Sequence, residues 1–179
     1  MYQPGDFIVY GNTGVCRVEE IGTPDSVSDS DTLYYKLSPV YDTEVIYTPV
    51  TTKAFMRPVM TREQAENLID RIPSIPEKVC DNHDMKQLNE RYRACLSTHE
   101  NDDLIRLIKS VYLKNQRSLK AGRRVGQTDQ AYMKRAEKLL YGELSVVLGI
   151  DYEQVHPYIK RRIAQLEEEN SEHASCVRA

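Results

Sequence analysis

Tyr2-Gln-Pro-Gly-Asp-Phe-Ile-Val-Tyr-Gly-Asn-Thr-Gly-Val-Cys-Arg-Val-Glu-Glu-Ile21 decides how this chain folds. Pro4-Gly5-Asp6 is a turn signal, and Phe7 to Tyr10 is a run of β-favouring residues. Gly11-Asn12-Thr13-Gly14 offers residues that tolerate positive φ, so the chain can reverse there. Beyond it, Val15, Arg17 and Glu19 alternate with Cys16, Val18 and Glu20, the pattern of a half-exposed strand. The stretch reads as a hairpin, and its glycines as a turn rather than a ligand loop.

Reading outward, Thr23-Pro-Asp-Ser-Val-Ser-Asp-Ser-Asp31 is a polar loop or hairpin tip, and Leu33 to Leu37 is a strand. Pro39 to Asp42 turns the chain. Thr43 to Pro49 is another strand, closed by a proline that cannot donate to a ladder. In it Glu44, Ile46 and Thr48 share one face, while Thr43, Val45 and Tyr47 share the other. One face must be core, and an edge strand with an exposed Ile or Tyr can accept a partner strand. Roughly five short strands over residues 1–60 predict a small antiparallel barrel or strongly bent sheet, which hides its edges.

The character changes at Thr61. Thr61-Arg-Glu-Gln64 fits a capping box, followed by Ala65, Leu68, Ile69 and Ile72 at helical spacing. Pro73-Ser-Ile-Pro76 breaks that helix, so residues 61–76 read as a capped helix and Pro-rich linker. Four more apolar stripes follow: Met85, Leu88, Tyr92, Cys95 and Leu96; then Leu104, Leu107, Ile108 and Val111 after an Asn101-Asp-Asp103 start suited to N-capping; then Met133, Ala136, Leu140, Leu144 and Val147, ended by Gly149; then Val155, Ile159, Ile163 and Leu166. Short connections predict a compact helical bundle over 77–170, and the polar residues 171–179 predict a flexible tail.

Hydrophobic residues make up 40% of the 179, enough for a core, and with no Trp and two Phe the twelve Tyr carry the aromatic packing. No run of 18 apolar residues spans a membrane, and the N-terminus reads as strand rather than as a basic-then-apolar leader. The four cysteines form no CxxC pair, which fits a reduced, cytoplasmic protein. The net charge of −3 hides an asymmetry. Residues 1–75 hold six basic and eleven acidic side chains. Between Arg106 and Lys138 ten basic residues face two acidic ones. An acidic front and a locally basic back imply two faces with different partners.

Catalytic and metal-binding patterns are missing. There is no HExxH, paired CxxC, GxxxxGK[ST] or GxGxxG, and the four histidines share no ligand spacing. Gly11-Asn-Thr-Gly14 matches the GxxG clamp of KH domains, but that loop joins two helices and this one lies between strands. Neither an enzyme nor a cofactor is expected. The informative cluster is Lys120-Ala-Gly-Arg-Arg124, a helix–helix loop flanked by Lys114, Arg117, Lys134 and Arg135. Adjacent Arg123 and Arg124 can converge on phosphates, which gives affinity without reading sequence. In Leu88-Asn-Glu-Arg-Tyr92-Arg93, Leu88 and Tyr92 share a face beside Arg91 and Arg93. That face can pack in the bundle, or an apolar residue on it can wedge into a minor groove.

In order, Pro4-Gly-Asp6, Val9-Tyr10, Gly14-Val15, Val18-Glu-x-Ile21, Tyr34-Tyr35-x-Leu37, Pro49-Val50, Arg57-Pro-Val59, Arg91-Tyr92-x-x-x-Leu96, Ile105 to Leu113 and Ala136-x-x-Leu-Leu-x-Gly142-Glu-Leu144 resemble the CarD/CdnL family of bacterial transcription regulators. The N-terminal part also resembles the RNA-polymerase-interacting module of transcription-repair coupling factor. The resemblance implies an α+β chain: a Tudor-like β-barrel over 1–60, then an all-α bundle. It implies binding to the β subunit of RNA polymerase through an exposed strand. It further implies contact with promoter DNA at the upstream edge of the bubble, cytoplasmic residence on the nucleoid, and no small-molecule substrate. The polymerase-binding residues would be Thr23, Thr43, Glu44, Ile46, Tyr47 and Thr48. The DNA-binding residues would be Leu88, Arg91, Arg93, Lys120, Arg123, Arg124, Lys134 and Arg135. Three departures stand out. Leu88 occupies the position of the family's wedging tryptophan. Thr23 and Tyr47 lie where arginines often face polymerase. Gln130 replaces a basic residue, while the 120–124 loop is longer and more basic. The competing reading is a polymerase-binding adaptor with no direct DNA role.

Overall fold

β1 (Phe7–Tyr10) and β2 (Gly14–Gly22) form the expected hairpin, with Gly11 and Gly14 at φ 45° and 92°. β3 (Tyr34–Pro39), β4 (Ile46–Pro49) and β5 (Met56–Pro58) complete an antiparallel sheet of order β4-β3-β2-β1-β5. The computed structural model describes residues 1–24, 32–77 and 84–176, with side chains to residue 169. Most of the polar loop at 23–31, together with Cys80 and His83, therefore lies outside the described residues. The chain divides into two units, Met1–Val59 and Met60–Ala179.

The sheet is curled rather than flat. β1 and β4 are three ladder steps apart, roughly 14 Å if the sheet were planar. Yet the Tyr10 hydroxyl donates to Thr48 Oγ1 at 3.4 Å. The register slips between Val18 and Glu20, a bulge that bends β2 around the interior. There Ile8, Cys16, Val18, Tyr35 and Leu37 form the core, ringed by Tyr2, Tyr10, Ile46 and Met56. Tyr35 receives the Tyr2 backbone N–H on its hydroxyl at 3.1 Å, which folds the N-terminus over that core. Burial raises the Cys16 thiol to about 11, so it acts as a small apolar group.

The second unit contains α1 (Arg62–Arg71), a 3₁₀ turn (Ile72–Ser74), α2 (Met85–Ser97), α3 (Asn101–Lys120), α4 (Gln127–Leu148) and α5 (Tyr152–Cys176). Both halves of the Thr61 capping box are made. α4 packs against all four other helices and supplies Ala136, Leu140, Leu144 and Leu148 to the core. The capped helix expected within 61–76 is α1, whose Ala65, Leu68 and Ile69 sit in the helical core together with Ile75 from the proline-rich stretch that follows. The α+β reading of the sequence, strands first and helices after, holds with two local differences. α3 takes Glu100 as its N-cap, without a side-chain cap, and Asn101 falls inside the helix, where its amide Nδ2 donates to Glu143 Oε2 at 3.4 Å. α5 continues to Cys176, well into the stretch expected to fray.

Polar ties between helices fix the arrangement. Glu143, 1% exposed, accepts the Met60 N–H at 2.9 Å. Arg162 donates to both oxygens of Asp70 at 2.7 and 2.8 Å, joining α5 to α1 and holding the carboxyl below its usual range. Lys109 Nζ donates to the carbonyls of Ile72 and Ile75, which satisfies oxygens left over where α1 ends.

Candidate functional site

Two surfaces, one per unit, carry the residues singled out by the sequence. In the first unit β4 is a sheet edge: it pairs with β3 on one side only, so its outer backbone groups face away from the ladder. Its periodicity of two divides the expected polymerase-facing residues. Ile46 packs on the core, and Thr48, 4% exposed, is held by Tyr10. Both point inward and present no side chain to a partner. Tyr47 is 50% exposed and Val45, just before the strand, is 49% exposed. Thr43 and Glu44 are exposed in the same approach segment.

Register then assembles a row across the outer face. Tyr47 lies opposite Lys36, and Lys36 lies opposite Glu20, with Nζ 3.8 Å from Oε2. These three residues, with Thr23, line a shallow cavity of about 160 Å³. Thr23 is half-buried there, its hydroxyl donating to the Thr32 carbonyl at 3.2 Å. Thr23 and Tyr47 are thus brought to one site from positions 24 apart. The sequence reading missed Val45, Lys36 and Glu20. Strand alternation alone gave two faces without saying which was outer.

In the second unit the 121–126 loop connects α3 to α4. α3 ends in a Schellman motif: the Arg123 N–H donates to Ser118 O at 2.8 Å and the Gly122 N–H to Leu119 O at 3.0 Å. Gly122 sits at φ 66°, which this motif requires and a side chain would resist. Lys120, Arg123, Arg124, Lys134 and Arg135 are all exposed. Among the described residues no ion pair engages Lys120, Arg123 or Arg124. Exposed Leu119 lies in the same cluster. Lys114 differs from its neighbours, because its Nζ lies 2.8 Å from Asp129 Oδ2 and is used internally.

α2 places Arg91 and Arg93 on the surface but not Leu88, which is 3% exposed and part of the helical core. Leu88 therefore presents no wedge, and its spacing from Tyr92 reflects packing. The exposed large apolar residue of α2 is Met85 at its first position, 52% exposed, where the sequence stripe had placed a core residue. Asp84 caps that helix, accepting from Lys86 N at 2.8 Å.

A groove of about 500 Å³ elsewhere on this unit is lined mainly by Ile108, Met133, Leu140 and Ile159, with Glu137 and His156. Burial raises the Glu137 carboxyl and, with Lys160, lowers the His156 imidazole. Among the described residues no helix is long and apolar enough to cross a membrane.

Residues 2–60 match the family model for the CarD-like/TRCF RID domain. The match spans the N-terminal unit and less than half of the chain. No curated protein matches the chain. The RID domain is an RNA-polymerase-interacting module, a protein-interaction domain rather than a catalytic one. Its matched span contains the curled sheet, the β4 edge and the Glu20–Lys36–Tyr47 row.

Proposed function

We propose that this chain is a transcription regulator that grips the β subunit of RNA polymerase with its RID domain. Its helical unit then holds promoter DNA at the upstream edge of the bubble. The observation that carries the reading is the open β4 edge with exposed Val45 and Tyr47 inside a polymerase-interacting domain. A strand of the partner can add to that edge through backbone hydrogen bonds, while Tyr47, Thr43, Glu44 and the Lys36–Glu20 pair set side-chain fit. Lys120, Arg123, Arg124, Lys134 and Arg135 supply phosphate contacts, with Arg91 and Arg93 beside them. The apolar contact at the start of α2 falls to Met85 instead of Leu88. A protein that binds melted promoter better than closed promoter shifts the balance between them without chemical catalysis.

The test is a pull-down of the full chain with polymerase β-subunit fragments. Tyr47→Ala should weaken retention about tenfold or more, as loss of a central aromatic anchor does. Equal retention of variant and parent would refute the edge as the docking site. The burial of Leu88 and the net charge of −3 favour the adaptor reading. A promoter footprint with polymerase separates the two, since an adaptor adds no protection upstream of the bubble.

A further inference from the structure

A buried polar triad lies directly beneath the basic loop. Asp129, in the first turn of α4, is 4% exposed. The Tyr92 hydroxyl of α2 donates to its Oδ1 at 2.7 Å, and Lys114 of α3 lies 2.8 Å from its Oδ2. Tyr92 is itself 7% exposed and tilted against Tyr132 at a centroid distance of 5.0 Å. One carboxylate therefore ties together the three helices that surround the loop.

The last loop residue lies close against the same carboxylate. A Cβ on Gly126, the last loop residue, would stand 2.8 Å from Asp129 Oδ2. At its other end the Schellman motif fixes the backbone through Arg123. Arg124 and Val125 are all that separate these two anchors. A loop anchored by the motif at one end and closed in by Asp129 at the other presents its two arginines from a backbone with little freedom left to lose on binding.

We infer that Asp129, with Tyr92 and Lys114, positions the 121–126 loop so that Arg123 and Arg124 meet a nucleic-acid backbone together. Asp129 touches no ligand; it acts through Gly126 and the start of α4. This inference rests on the DNA-binding reading above, and its test keeps the two apart.

Charge gives the discriminating sign. Asp129→Asn removes a negative charge beneath a basic cluster and leaves Lys114 without its anion. If the surface worked only as a positive field, this variant would bind duplex more tightly. If the loop must be held in place, it binds more weakly despite its added positive charge.

The experiment measures binding of the full chain to a duplex carrying a preformed bubble, at low ionic strength, with thermal melting followed alongside. We expect Asp129→Asn to weaken binding about three- to tenfold, the cost of losing preorganisation at a few contacts. Tyr92→Phe, which keeps the charge and deletes one hydroxyl, should weaken it in the same direction and decides the matter if Asp129→Asn does not fold. Unchanged or tighter binding by the folded variants overturns the inference. Arg123→Ala/Arg124→Ala is the control: if it leaves binding unchanged, the DNA-binding reading itself fails, whatever the triad does.

Discussion

Replacing Arg123 and Arg124 together by alanine tests how the basic loop works, and the structure sets the magnitude. Five exposed cations sit at the loop and on the early turns of α4: Lys120, Arg123, Arg124, Lys134 and Arg135. If each neutralises one duplex phosphate, the logarithm of affinity falls against the logarithm of salt with a slope of about −4.5. Between about 50 and 200 mM salt, affinity would then drop about 500-fold. With two arginines gone the slope becomes about −2.7, and the same change in salt costs only about 40-fold. Both side chains are exposed, and the motif that fixes Arg123 uses only its backbone, so the melting temperature should stay put. Fluorescence anisotropy with a bubble duplex across a salt series reads the slope directly. An unaltered slope in a normally folded double variant would refute the assignment of phosphate contacts to this loop.

Leu88→Ala should destabilise the helical unit by about 2–5 kcal/mol, the range for truncating a buried leucine, while Met85→Ala should leave stability unchanged; chemical denaturation separates the two. Gly126→Ala should cost about 1–3 kcal/mol, because Asp129 is pinned by Tyr92 and Lys114 and cannot retreat from a new methyl group. Asp70 has a folded-state carboxyl held below its usual range, first by the hydrogen bond from Arg162 and then by its charge, against an opposing effect of burial. The stability it gives is therefore present above the ordinary aspartate range and is lost as pH falls through the lowered value. Asp70→Asn should flatten that part of the acid-denaturation curve, by well under about 1 kcal/mol at neutral pH given its partial exposure. An acid limb identical in both proteins would exclude the pair as a contributor.

Much of the architecture was legible because it is written in local chemistry. Thr61 and Gln64 announce a cap through their side chains alone, and Gly149 stops α4 at φ 68° because few other residues adopt that conformation comfortably. What stayed hidden depends on residues distant in sequence. Leu88 and Tyr92 at a spacing of four specify a stripe, but only the packing of α3 and α4 against α2 decides that the stripe is core. The period of two in β4 gave both of its faces; the curl that brings Tyr10 to Thr48 chose the inner one. Lys114 looked like one more surface cation, since nothing near it in the chain names Asp129 as its partner. Asn101 had the right chemistry to cap α3, yet the helix starts one residue earlier from Glu100, and the Asn101 amide donates to a buried carboxylate more than forty positions later. Polar residues are harder to place than apolar ones because burying them requires a specific partner, and the partner is a property of the fold.

The grip of Glu143 on Met60 governs how the protein can be dissected. The two prolines of the 73–76 stretch invite a cut there, but such a cut would strip away α1 and leave the surfaces that cover Ala65, Leu68 and Ile69 wet. It would also leave a carboxylate sealed among α4 neighbours with one donor fewer. Scissors belong between Val59 and Met60, where a fragment keeps its own lid and its own first hydrogen bond.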